Sequence, residues 1–212
     1  MRRLPVYLLL DTSGSMSGEP IEAVKNGVQI MISTLRQNPQ AIETAYLSVI
    51  TFDSTAQQII PLTDLATFQM VDLRASGTTA LGAALSLVAE RIDNEVMSTT
   101  LERKGDWKPL VFIMTDGIPT DDWRQGLQAF SGKKTAFTVA CAAGSGVDTS
   151  ILKQITDNVV SLDTADSSSI SKFFTWVTAS IGVTSTKIED SGKEIGSLSE
   201  LPPPPSEINI VV

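Results

Sequence analysis

Residues 7–15 read Tyr7-Leu8-Leu9-Leu10-Asp11-Thr12-Ser13-Gly14-Ser15, an unbroken apolar run that ends in a carboxylate and is followed by hydroxyls at alternate positions. A run this short and continuous does not suit an amphipathic helix. It reads as a strand buried on both faces, as in a parallel sheet. Asp11 then stands where a buried strand surfaces. Gly14 permits a tight turn, so Ser13 and Ser15 can point back toward the carboxylate. One carboxylate and two neutral oxygens on a short loop suit a hard divalent cation, which prefers oxygen ligands.

Working outward, Leu110-Val111-Phe112-Ile113-Met114 repeats the pattern and ends in Thr115-Asp116-Gly117. Between the two lie Ala45 to Phe52, a second strand, and Gln57 to Pro61, a short third strand placed to pair with it through an antiparallel hairpin. Thr135 to Ala142 and Val159 to Leu162 supply two more strands. Helical periodicity separates them. Pro20 suits a first helical turn, and Ile21, Val24, Val28, Met31 or Ile32, and Leu35 form one stripe, ending near Asn38-Pro39. Leu81, Leu85, Val88, Ile92 and Val96 form another, after the small polar loop Ala75-Ser76-Gly77-Thr78-Thr79. Leu65 to Val71, Asp122 to Phe130, Ser150 to Thr156 and Ile170 to Ile181 are shorter helical candidates, and Met97 to Lys108 reads as a surface loop. Strands alternating with helices predict a doubly wound α/β domain over residues 1–182. Its sheet is expected to be mostly parallel and six-stranded, with one antiparallel edge strand and helices on both faces. From Val183 the character changes to Ser, Lys, Glu and Gly. A run from Pro202 to Pro205 follows that cannot belong to a sheet interior. Residues 183–212 therefore read as a tail, either flexible or docked through the apolar Ile208 to Val212.

Composition narrows the chemistry. A chain of 212 residues suits one domain and a tail, and its net charge of −8 argues against nucleic-acid or anionic-membrane partners. Histidine is absent from the sequence and Cys141 is the lone cysteine. Ser-His-Asp and Cys-His catalysis, nearly all zinc chemistry and any intrachain disulfide are thereby excluded. Arg2-Arg3 before an apolar stretch superficially suggests a secretion signal. Pro5 interrupts that stretch, Asp11 ends it, and no small-residue cleavage site follows. No stretch approaches the length of a membrane span, so the expected location is the cytoplasm, without membrane insertion.

Open parallel sheets bind ligands beyond the carboxyl ends of their strands, where strand order reverses. Asp11 and Asp116 both end strands, and the loop before Leu81 enters from the same side. Asp11, Ser13, Ser15, Thr79 and Asp116 can therefore converge. Asp53, Asp64 and Asp72 read better as turn or cap residues, and Asp121 and Asp122 as caps of the helix that follows them. Trp123 reads first as a packing residue and second as a rim contact. Cys141 reads as a small core residue.

Asp11-Thr12-Ser13-Gly14-Ser15, Thr79 and Thr115-Asp116-Gly117 together resemble the three-part metal-ion-dependent adhesion site of von Willebrand factor type A domains, over about residues 4–182. The resemblance implies Mg²⁺, with Mn²⁺ or Ca²⁺ as possible substitutes. It implies direct contact from Ser13, Ser15 and Thr79, and action mostly through water from Asp11 and Asp116. An acidic residue of a protein partner would fill the open position. Thr79 rather than Thr78 fits the family's spacing, through Thr79-Ala80-Leu81-Gly82. Among such domains the chain looks most like bacterial TerY-type proteins of tellurium resistance and stress response, some of which are associated with a protein kinase and a metal-dependent phosphatase. The implied function is a non-catalytic, metal-dependent protein-binding module. The alternative is a Mg²⁺-dependent phosphoryl-transfer enzyme or hydrolase. Against it, these loops carry no Lys or Arg to hold phosphate and no Gly-rich phosphate loop. A third reading is a scaffold that keeps the motif without using it.

Overall fold

The computed structural model describes residues 2–195 and 197–211. The first strand, β1 (Leu4–Asp11), is buried along its whole length. It lies between β2 (Ala45–Phe52) and β4 (Leu110–Thr115), parallel to both. Its side chains alternate between two cores. Leu4, Val6, Leu8 and Leu10 enter one, while Tyr7 and Leu9 enter the other. In β4, Leu110, Phe112 and Met114 divide from Val111 and Ile113 in the same way. That two-sided burial is why these strands read as continuous apolar runs.

The sheet is completed by β3 (Ala56–Asp64), β5 (Phe137–Ala143), β6 (Val159–Leu162) and β7 (Ile208–Ile210), in the order β3-β2-β1-β4-β5-β6-β7. The helices α1 (Glu19–Leu35), α2 (Pro39–Thr44) and α6 (Ser167–Ser191) contribute to the first core. α3 (Leu81–Glu95), α4 (Trp123–Ser131) and α5 (Thr149–Ile155) contribute to the second. The chain runs outward from β1 through β2 to β3, then returns to the other side of β1 with β4. Strand order thus reverses between β1 and β4, and that crevice lies beside Asp11 and Asp116.

The doubly wound, mostly parallel α/β sheet is as expected, but it carries a seventh strand. β7 pairs antiparallel with β6, so both edges are antiparallel. The closing helix runs to Ser191, past the expected end at Ile181 and across the change of character at 183. Gly192 then ends it in the left-handed conformation that glycine adopts readily. Beyond it, Ile195, Leu201 and Ile208 are buried, and the Trp176 indole N–H donates to the Pro202 carbonyl at 2.8 Å.

Two local expectations fail for identifiable reasons. Leu65 to Val71 forms no helix, although Leu65 and Phe68 are buried. The Arg36 guanidinium donates to the carbonyls of Leu65, Ala66 and Phe68, which a helix would have paired with its own amides. Conversely, Asn38-Pro39 opens the short helix α2, with the Asn38 side chain accepting from the Ala41 amide at 2.9 Å. Asn before Pro at a helix start was a readable signal. Among the described residues no helix is long and apolar enough to cross a membrane.

Candidate metal centre

Asp11 closes β1 beside Phe52 of β2, and its side chain is almost wholly buried. One carboxylate oxygen accepts from the Ser13 amide at 2.8 Å, and the other from the Thr115 hydroxyl at 2.5 Å. The carboxylate therefore ties its own loop to the end of β4. Burial pushes its carboxyl above the usual range despite the hydrogen bonds from Ser13 and Thr115, and the nearby charge of Asp116 pushes the same way. Asp116 is half-buried, and burial raises its carboxyl as well, against the hydrogen bond from Ser15.

After Asp11 the chain makes a single tight helical turn, Gly14–Met16, with Ser13 extended at its start. The Ser13 and Ser15 hydroxyl oxygens lie 3.0 Å apart. Ser15 Oγ donates to Asp116 Oδ1 at 2.7 Å, joining residues 101 positions apart in sequence. The Gly14 amide donates to the Gly77 carbonyl at 3.1 Å, and a Cβ on Gly14 would stand 3.3 Å from that oxygen. The first and second loops thus meet backbone to backbone.

Thr79 is buried, and its hydroxyl faces Gly117, where an added Cβ would lie 3.0 Å from Thr79 Oγ1. Thr78 is exposed and turns away, its amide and hydroxyl both directed to Ser54 Oγ. All five candidates therefore belong to three neighbouring loops on one rim of the sheet. Asp53 and Asp64 accept amides in their own turns, and Asp72 pairs with Lys25. Asp122 precedes α4 without a side-chain cap, whereas Asp121 accepts from the Gly82 and Ala83 amides at 3.0 and 2.8 Å. The expectation that Asp121 caps the helix after it is thus corrected. It caps α3, which precedes it by about forty residues. Trp123 is buried with the Arg124 guanidinium over its ring, and Cys141 lies fully in the core with its thiol pushed up by burial.

The donor set suits a hard cation. It comprises two carboxylates and three hydroxyls, and among the described residues no group of three or more His, Cys, Asp or Glu is placed to hold a metal. Adjacent oxygens in an octahedral Mg²⁺ shell stand about 3.0 Å apart, given metal–oxygen distances of about 2.1 Å. The Ser13–Ser15 separation of 3.0 Å matches that spacing. Two carboxyls raised by burial, one adding to the other's shift, are groups that a cation would relieve.

A sequence profile described as the von Willebrand factor type A domain matches residues 6–176. The chain belongs to that family. Domains of the family commonly mediate metal-dependent protein interactions and are typically non-enzymatic. Similar solved structures include a von Willebrand factor type A protein from Catenulispora acidiphila, at 18% identity and TM-score 0.63, covering 86% of this chain and 43% of that one. Proximal thread matrix protein 1 from the mussel byssus is another, with its MIDAS motif occupied by zinc, at 21% identity and TM-score 0.61, covering 84% of this chain and 45% of that one. At these identities the likeness speaks for the fold. An uncharacterized protein of Synechocystis sp. is 32% identical over 123 residues, which is 55% of this chain and 26% of that protein. This von Willebrand factor type A chain thus spans about a quarter of that relative and under half of those two solved chains.

Proposed function

We propose that the chain is a metal-dependent protein-binding module in which Asp11, Ser13, Ser15, Thr79 and Asp116 hold a divalent ion and a partner's Asp or Glu completes its coordination. The observation that carries this reading is the meeting of three distant loops at one rim, marked by the Ser15–Asp116 contact. Mg²⁺ is the proposed ion, with Mn²⁺ or Ca²⁺ able to replace it. The zinc held by the MIDAS motif of the mussel protein supports a site open to more than one divalent ion. When bound, the ion would act as a Lewis acid toward a carboxylate offered from outside.

The chain's own residues would do the rest. Asp11, fixed by the Ser13 amide and the Thr115 hydroxyl, would balance charge from beneath the site without needing to move. Ser13 and Ser15 would present neutral oxygens, and Asp116 would orient Ser15. Two carboxylates against one divalent cation leave the site formally neutral and receptive to one further acid. Ile118 stands 58% exposed two residues after Asp116, an apolar contact for whatever docks there.

A bacterial cytoplasmic tellurite-resistance or stress-response system, with an associated kinase or phosphatase as partner, is the proposed setting. It rests on the sequence resemblance alone. The test is co-purification from the native cell with and without chelator, alongside calorimetry with Mg²⁺ and Mn²⁺. Partner capture that survives both EDTA and Asp11→Ala would refute the metal-bridged mechanism. Turnover of phosphate esters abolished by Asp11→Asn would favour an enzyme instead.

A further inference from the structure

The loops bearing Thr79 and Asp116 are joined by a clasp that involves neither residue's side chain. The Thr79 amide donates to Thr120 Oγ1 at 3.1 Å, and the Thr120 amide donates back to the Thr79 carbonyl at 2.9 Å. One residue on, Asp121 accepts from the Gly82 and Ala83 amides, with one carboxylate oxygen to each. Behind this junction α3 and α4 touch at their backbones, since a Cβ on Gly126 would lie 2.1 Å from the Gly82 carbonyl. The helices therefore have no side-chain layer to slide on at this point. Both amides belong to the first turn of α3, so the carboxylate ties the loop that follows Asp116 to the helix that follows Thr79.

We infer that Asp121 is a positioning residue, which locks the Thr79 loop to the Asp116 loop and thereby sets the ion affinity of the site through Thr79. Its charge is well placed for this. A carboxylate at the start of α3 meets the unpaired amides and positive end of that helix, so its two bonds are charge-assisted. The affinity half of the inference rests on the metal-binding reading above, whereas the clasp does not.

The experiment is a double-mutant cycle on the full chain, with Mg²⁺ affinity read by calorimetry well below the unfolding transition. Asp121→Ala should weaken Mg²⁺ binding about 10–100-fold, the range seen when supporting residues behind a metal ligand are removed. In a Thr79→Ala background the same change should cost little more, because its effect passes through Thr79. Asn38→Ala, which removes a helix cap not linked to these loops, should lower thermal stability and leave Mg²⁺ affinity unchanged. Full additivity in the cycle, or unaltered affinity in Asp121→Ala, would overturn the inference. Amide hydrogen exchange in EDTA reads the clasp without metal. Asp121→Ala should speed exchange at Thr79 and Thr120 together with Gly82 and Ala83. Acceleration confined to Gly82 and Ala83 would reduce Asp121 to a local helix cap. Failure of the unsubstituted chain to bind Mg²⁺ overturns the metal reading and the affinity half with it, and the exchange result still decides the clasp.

Discussion

Asp11 illustrates how a residue proposed to serve a bound ion can be costly to the fold without one. Its carboxyl sits above the usual range because burial opposes ionisation more than its hydrogen bonds favour it. A group raised in this way adds stability at acid pH and loses it as pH rises through its folded-state value. In EDTA at neutral pH, Asp11→Asn should therefore be as stable as the unsubstituted chain or more so, since an amide can still accept from Ser13 and pair with Thr115. That advantage should shrink as pH falls and Asp11 becomes protonated, and thermal melts of the two proteins across pH would show it. With Mg²⁺ the ranking should invert, because ion binding stabilises only the protein that retains the carboxylate. Mg²⁺ affinity should fall with pH from higher values than ordinary carboxylates would give, as Asp11 and Asp116 both take up protons; titrations at several pH values would check this. Asp11 and Asp116 were legible as strand-end carboxylates, but Thr115 was not seen as the partner of Asp11. In the β1–β4 register Met114 faces Leu10, which sets Thr115 beside Asp11, and register between strands a hundred residues apart is not written locally.

At the scale of elements, close backbone approach explains which glycines matter. Gly126 packs α4 onto the first turn of α3, and Gly27 packs α1 onto α6, where a Cβ would lie 2.4 Å from the Phe174 ring. Gly126→Ala meets backbone and should cost about 1–3 kcal/mol or more. Gly27→Ala meets a side chain with some freedom and should cost less; denaturant melts would rank the two. Asn38→Ala removes the cap of α2 and should cost about 1 kcal/mol by the same measurement. The long strands and helices were readable because periodicity repeats over many residues. The segment 65–71 was not, because the carbonyls of Leu65, Ala66 and Phe68 are satisfied by Arg36, the residue that follows α1. A distant guanidinium overrode the local helical pattern.

Across the whole molecule, the C-terminal segment finishes the sheet rather than hanging from it. β7 covers the outer edge of β6, and Ile195, Leu201 and Ile208 bury side chains worth about 1.5–3 kcal/mol each. Removing residues 192–212 should lower the melting temperature and promote self-association through the uncovered edge of β6, as measured by thermal melts and light scattering. At the opposite end of β1 from Asp11, the partly exposed Arg3 pairs with the buried Asp106, and Arg2 stacks on Trp107. The arginines that superficially suggested a targeting signal thus anchor the loop before β4. By itself the sequence determined the two-faced strands, the main helices and the strand-end oxygens, because burial patterns and turn chemistry act over a few neighbouring residues. The tertiary structure alone decided that Ser15 meets Asp116, that Asp121 caps a helix behind it, and that the tail becomes a strand. Each of these depends on which distant segments share a rim or an edge, and only the packed sheet brings such segments together.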